Sequence, residues 1–174
     1  TTGLLVIAKD EETLRDLQKQ IKDREAKRQY LALCKGRLQA DSGIVDAPIG
    51  RDDRDRKRMA VRPGGREAVT AFEVVTRFGN EYTLLVAKLQ TGRTHQIRVH
   101  MAHLKHPVVG DPVYSRTKGE LGLRGQALHA FKLGLVIPRS GQFVEFSAPL
   151  PDDFREALET LERRYREELP KWLH

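Results

Sequence analysis

A chain of 174 residues with 39% hydrophobic and 32% charged side chains suits one domain with its own core and is too short to argue for two. No run approaches the roughly 20 apolar residues that span a bilayer, and no secretory leader pattern is visible at the N-terminal end. The net charge of +7 points to a polyanionic partner, and the single cysteine, Cys34, excludes an intramolecular disulfide and fits a reducing cytoplasm.

In chain order, TGLLVIAK (residues 2–9) reads as a short buried strand. Asp10 is placed to cap a helix with Glu11 and Glu12 in its first turn and Leu14, Leu17 and Ile21 on one face. A strand follows at QYLALCKGRL, and then the segment GRDDRDRKRMAVRPGGRE, punctuated by glycine and proline, carries Arg51, Arg54, Arg56, Lys57, Arg58, Arg62 and Arg66. It reads either as a solvated loop, partly neutralised by Asp52, Asp53 and Asp55, or as a phosphate-contacting one. AVTAFEVVTRF and EYTLLVAKLQ are rich in β-branched and aromatic residues and turn at Gly79-Asn80, which predicts a hairpin.

TGRTHQIRVHMAH, residues 91–103, reads as a loop leading into a helix that buries Ile97, Met101 and Leu104, with Thr94 as a possible cap. GDPVYS reads as a turn. ALHAFKLGLVIP and GQFVEFSAPL predict a second hairpin, and Asp152 or Asp153 is expected to cap a last helix with Phe154, Leu158, Leu161 and Tyr165 at helical spacing. The pattern predicts an α+β fold over residues 1–174, a mainly antiparallel mixed sheet flanked by a few helices, because runs of strands with few intervening helices do not build a doubly wound sheet.

Several chemistries lack support. His95, His100, His103 and His106 lie close in sequence, and His100 and His103 stand at a chelating spacing, yet no H-E-x-x-H, second cysteine or nearby acidic ligand completes a zinc set. There is no G-x-S-x-G, and Gly64-Gly65 lacks the G-K-[ST] of a phosphate-binding loop. Cys34, inside an apolar strand, reads as a small core residue rather than a nucleophile. For residues 91–103 there remain an RNA or anionic-substrate surface, with forked arginine donors, and a plain solvated helix. A solvated helix does not explain why lysine and glutamate are missing there before Lys105.

TGRTHQIRVHMAHLKHPVVGDPVYS resembles the signature block of the RluA/RluD-type family of ribosomal large-subunit pseudouridine synthases. KRQYLALCKG is similar to the family's K-x-Y-L-A-L-V-x-G strand, and APIGRDDRDRKRMAV to its P-I-G-R…R-x-K-M-x-V loop. GQALHAFKLGL and FSAPLPDDF resemble its closing L-H-A-x-x-L and A-P-L-P segments, so the likeness runs from Thr1 to about Phe154. Two local departures are Gly125 before Gln126, with Arg124 one place earlier than the family's arginine, and Ile137 where a histidine often precedes the proline.

The resemblance implies isomerisation of uridine to pseudouridine without metal or cofactor, with ribosomal RNA as partner, no membrane, a monomeric state and a cytoplasmic location. It implies that Tyr30 stacks on the uracil and helps remove the C5 proton, and that Arg98 pairs with an essential aspartate. Arg51, Lys57, Arg58, Arg93, His95, Gln96 and His100 are expected to bind RNA or support the site. The family carries the aspartate in H-R-L-D-x-x-T-[ST]-G-L-L, whereas this sequence starts at the Thr1-Thr2-Gly3-Leu4-Leu5 part of that motif. Asp10, Asp41, Asp46 and Asp111 do not match it. The chain is therefore expected to be the larger C-terminal part of a catalytic domain and inactive without that aspartate. The alternative is a non-catalytic RNA-binding module derived from the same family.

Overall fold

The computed structural model describes residues 1–53, 55, 58–115 and 119–173. Strand β1 (Thr2–Gly3) is followed by helix α1 (Glu11–Lys22), then β2 (Lys27–Lys35), β3 (Ser42–Asp46), β4 (Ile49–Arg51), β5 (Met59–Val61), β6 (Val69–Phe78) and β7 (Tyr82–Leu89). Helix α2 (Gln96–His103), strands β8 (Leu128–Val136) and β9 (Phe143–Ser147) and helix α3 (Asp152–Tyr165) complete the main elements. The large sheet runs β1-β8-β2-β7-β6-β3, with β9 also paired to β8. Among the described residues only the β1–β8 pair is parallel. The fold is α+β, as the alternation of strands and amphipathic segments predicts, and both expected hairpins, β6–β7 and β8–β9, form.

The first segment departs from expectation. Only Thr2 and Gly3 of residues 2–9 form a strand, and Leu5 and Ile7 are 81% and 75% exposed. The pairing ends where Leu4 N–H donates to Ala130 O at 2.9 Å. Gly3 takes φ +93°, and a Cβ there would stand 2.2 Å from Ala130 O, so only glycine lets the chain approach and turn away. Past that point the outer edge of β8 pairs with β9, from Lys132↔Ser147 to Val136↔Phe143.

Helix α1 starts as expected, with the Asp10 carboxylate accepting from Thr13 N–H at 2.8 Å. Leu17 is buried but Leu14 is 45% exposed, because the helix is fastened partly by a polar contact. Gln20 donates to Val136 O at 2.8 Å and accepts from Val136 N–H at 2.9 Å, completing hydrogen bonds on strand β8. In α3, Phe154, Leu158 and Leu161 are buried as the spacing predicts. Its N-cap is Pro151 rather than either aspartate. Asp153 instead accepts from Arg124 N–H at 3.2 Å and Asp152 pairs with Arg155 at 2.6 Å, which fixes the aspartates inside the first turn.

The basic segment read as a loop includes a two-stranded ribbon, with β4 and β5 paired Ile49↔Val61, Gly50↔Ala60 and Arg51↔Met59. Strand β3, which no motif announced, closes the far edge against β6. The main apolar core lies on both sides of the central strands β2 and β7: Leu31, Leu33, Leu84 and Leu85 from the sheet join Ile97 and Met101 from α2 and Phe154, Leu158 and Leu161 from α3.

Candidate active site

Tyr30 lies on β2 at a break in register. Gln29 pairs with Lys132 of β8, but Tyr30 pairs with Ala130, so Phe131 is the extra residue of a bulge. Bulges of this kind re-aim a side chain locally. On its other side Tyr30 faces Ala87 of β7. The phenol therefore stands between two alanines, with no large residue directly opposite it on either neighbouring strand. Burial pushes its pKa up while nearby Arg28 pulls it down, and the net direction is upward, so the hydroxyl is protonated at neutral pH.

A cleft of about 440 Å³ opens over this residue. Its lining includes Thr1, Tyr30, Arg93, His95 and Arg98, with Leu128 and Ala130 beneath. The volume lies within the usual range for a small-molecule or single-nucleotide pocket. Larger clefts of about 600 and 750 Å³ exist by the start of α3 and on the sheet face bearing Trp172, but neither contains Tyr30 or Arg98.

Helix α2 supplies one wall in an unusual way. Six of its eight residues are buried, three of them polar: Gln96, Arg98 and His100. Gln96 Oε1 accepts from Thr91 Oγ1 and from Arg93 N–H, both at 2.9 Å, while Nε2 donates to Val69 O and Thr70 Oγ1, both at 3.0 Å. The glutamine thus holds the loop before α2 to β6. Thr94, the cap considered from sequence, is exposed, and His95 occupies the N-cap in a left-handed conformation with φ 57°. His100 is fully buried between Thr70 Oγ1 and Ala47 O, each at 2.9 Å, and burial pushes its pKa down. The polar atoms of Gln96 and His100 are occupied inside the protein, with Gln96 also lining the cleft, an arrangement that fits the supporting half of the expectation for these two residues.

Arg98 is engaged in a two-pronged pair with Asp111: Nε to Oδ2 at 2.6 Å and Nη2 to Oδ1 at 2.8 Å. Both side chains are buried, at 8% and 0% exposure. Asp111 also accepts from Val113 N–H at 2.9 Å and Tyr114 N–H at 3.1 Å. Burial alone pushes the Asp111 carboxyl up, but Arg98 and these two amides outweigh it and hold it below the ordinary carboxylate range. Asp111 is thus an anchor rather than an exposed nucleophile. The Arg98 guanidinium lies 5.0 Å from the Tyr114 ring centre and still lines the cleft.

Tyr114 ties three parts together. Its hydroxyl accepts from Met59 N–H at 3.0 Å and lies 3.1 Å from His95 Nδ1, and its ring also carries Arg58 at 5.3 Å. The tyrosine thereby links the β4–β5 ribbon to the start of α2. His95 lines the cleft, with its pKa pushed down by burial and then by Arg98. Arg93 lines the same mouth and fixes its Nε on Glu67 O at 2.8 Å. Arg51 and Arg58 sit at or beside the ribbon, while Lys57, also expected to contact RNA, lies outside the described residues.

The sequence reading missed Asp111, Tyr114 and Thr70. The signal for the first two was GDPVYS itself, an acid and an aromatic hydroxyl in a turn just after a helix bearing an arginine. The histidines disperse: His95 goes to Tyr114, His100 to Thr70, and His106 to Lys35 O at 2.8 Å. Among the described residues no three His, Cys, Asp or Glu side chains come together, and no helix is long and apolar enough to cross a membrane. Cys34 is completely buried, and burial pushes its thiol far up.

A family model described as RNA pseudouridylate synthase matches residues 1–103. An "Uncharacterized RNA pseudouridine synthase" of Chloroflexus aurantiacus is 52% identical over 164 residues, covering 94% of this chain and 51% of the relative. "Ribosomal large subunit pseudouridine synthase D" of Nitrosomonas europaea is 48% identical over 168 residues, covering 92% and 48% respectively. The chain spans about half the length of the curated relatives it matches. Among solved structures, "Human RNA Pseudouridylate Synthase Domain Containing 1" is similar with TM-score 0.69 and 27% identity, over 94% of this chain and 76% of that one.

Proposed function

The chain belongs to the RluA/RluD-type RNA pseudouridine synthases, and from that membership we propose that the whole protein isomerises uridine to pseudouridine in large-subunit ribosomal RNA. The observation that carries the proposal is the cleft in which Tyr30, Arg98 and the segment Thr1–Leu5 meet. In the reaction the N1–C1′ bond breaks, C5 bonds to C1′, one proton leaves C5 and one arrives at N1. Atoms and electrons balance without an external donor, so the step needs no redox co-reactant; the proposed enzyme works without metal or cofactor, as a cytoplasmic monomer with RNA as partner.

Each residue then has a task. The family motif sets the essential carboxylate three residues ahead of the threonine matched by Thr1. Thr1 and Arg98 line the same cleft. A carboxylate brought in there meets a cation, which keeps it ionised against desolvation. Arg98 serves it while held in place by Asp111. The uridine must leave its stack to reach this depth. Tyr30, flanked by alanines, offers its ring face to the uracil. Its neutral hydroxyl relays the C5 proton by accepting it while passing its own onward. Arg51, Lys57, Arg58, Arg93 and His95 hold the surrounding RNA.

The test uses full-length protein and an unmodified large-subunit ribosomal RNA transcript labelled with tritium at uridine C5. Release of tritium is expected from the wild type, and Tyr30→Phe is expected to abolish release while retaining RNA affinity. Wild-type protein that binds the transcript but frees no tritium would identify the alternative, a non-catalytic RNA-binding module. Wild-type turnover in Tyr30→Phe would remove the tyrosine from the chemistry.

A further inference from the structure

Two residues before Tyr30, on the same face of β2, stands Arg28. It is half-buried, its Nε is buried without a hydrogen-bond partner, and its Nη2 reaches only Leu89 O at a long 3.4 Å. Its Nη1 lies 2.7 Å from where a Cβ on Gly92 would be, so the missing side chain at residue 92 is what admits the guanidinium. The next residue is Arg93, at the cleft mouth. Among the described residues neither arginine has a carboxylate partner, and Glu67, whose backbone oxygen Arg93 holds, has its carboxylate taken by Arg24 at 3.0 Å.

Two guanidiniums gathered beside a cleft, one with an idle buried N–H, make an unfavourable arrangement unless an anion joins them. Burial pushes the pKa of Arg28 down and Arg93 adds to this, although Tyr30 works the other way. Resting on the proposed function, we infer that Arg28 and Arg93, with Gly92 between them, form a clamp for a backbone phosphate of the RNA beside the flipped uridine. Forked arginine donors match phosphate oxygens. The phosphate enters over exposed Gly92, where a side chain would both block the approach and displace Arg28. Arg28 thus fixes the strand on the same β2 face that presents Tyr30 to the base.

The full-length protein and its Arg28→Ala, Arg28→Lys and Gly92→Ala variants are compared on the unmodified large-subunit ribosomal RNA transcript. Affinity is measured across salt concentrations and kinetics by C5 tritium release. Loss of one phosphate contact is expected to reduce the slope of log affinity against log salt by about 0.7 to 0.9 in Arg28→Ala. KM should rise about tenfold with kcat within about twofold. Arg28→Lys should keep the slope, because the charge stays, and still raise KM because the fork is gone. Gly92→Ala alters an exposed position and should shift KM in the direction of Arg28→Ala, which keeps the test sound if Arg28→Ala fails to fold. Unchanged slope and KM in both Arg28→Ala and Gly92→Ala would overturn the clamp and leave the isomerase standing. Wild-type binding without turnover would overturn the isomerase, with the slope still deciding the clamp, and absence of RNA binding would overturn both.

Discussion

Helix α3 buries Phe154, Ala157, Leu158 and Leu161 and leaves its charged residues toward solvent, whereas α2 buries Gln96, Arg98 and His100 alongside Ile97, Val99 and Met101. Both helices pack on the same sheet. One is fixed by removing apolar surface from water, which is non-directional and tolerant of small shifts. The other is fixed by a set of directional contacts, from Gln96 to β6, from His100 to Ala47 and Thr70, and from Arg98 to Asp111. Such a network holds the guanidinium at one place and one angle, as the proposed role of Arg98 requires and an apolar contact does not supply.

The contrast is broken most severely at Asp111. Asp111→Ala leaves Arg98 buried without its partner, and a loss of roughly 3 to 5 kcal/mol in unfolding free energy is expected, measured by denaturant titration, together with loss of tritium release. Arg98→Ala carries the converse penalty, so its loss of turnover must be read beside its stability. The double variant Arg98→Leu/Asp111→Leu should regain much of the stability and none of the turnover. Recovery of both would remove Arg98 from the chemistry.

Next comes Leu161→Ala in α3, where a cavity should cost about 2 to 5 kcal/mol. The kcat and RNA affinity of the folded fraction should match wild type. A changed kcat would mean that α3 is coupled to the cleft across the sheet.

Acidification should act on the polar side. Burial depresses the pKa of His100, and likewise of His95 and His129. For each, the neutral ring is the folded form, and the unfolded chain takes up its proton first, near pH 6.5. Their contribution is complete above that value and is lost as pH falls through the depressed folded values. His100→Gln should flatten this loss in a pH series of unfolding curves, and an unchanged pH slope would show that His100 titrates alike in the folded and unfolded states. The smallest effect is expected at Arg15, whose pair with Glu11 lies in solvent. Arg15→Ala should leave the unfolding midpoint unmoved, and a measurable drop would show that α1 is held by more than Leu17 and Gln20.

The difference between the helices also explains what the sequence reveals. Phe154, Leu158 and Leu161 recur at helical spacing, and that period is the physical cause of their burial, so α3 could be read directly. In α2 the same reading found Ile97 and Met101 but could not distinguish a buried Gln96 or His100 from a solvent-facing one. Their burial depends on Thr70, Ala47 and Val69, which lie some 26 to 53 residues away. Arg98 was singled out by family likeness, while its observed partner Asp111 sat in a segment read as a turn. Residues 2–9 misled for a related reason: LLVIA looks like a core strand, but β9 pairs with the rest of the β8 edge. The β4–β5 ribbon was obscured by its charge, although β-ladder hydrogen bonds depend on backbone geometry rather than charge.

The row Ala87–Tyr30–Ala130 sets the width of the cleft floor by what is missing from it. Directly opposed strand neighbours hold their Cβ atoms about 5 Å apart, so each alanine ends where a planar ring lying on the phenol would begin. A valine at either position adds two methyl groups at that boundary and turns an open shelf into a slot. The bulge at Phe131 is what brings Ala130, rather than the large aromatic, to this position. One extra residue in strand β8 thereby decides whether the floor of the cleft stays open over the phenol.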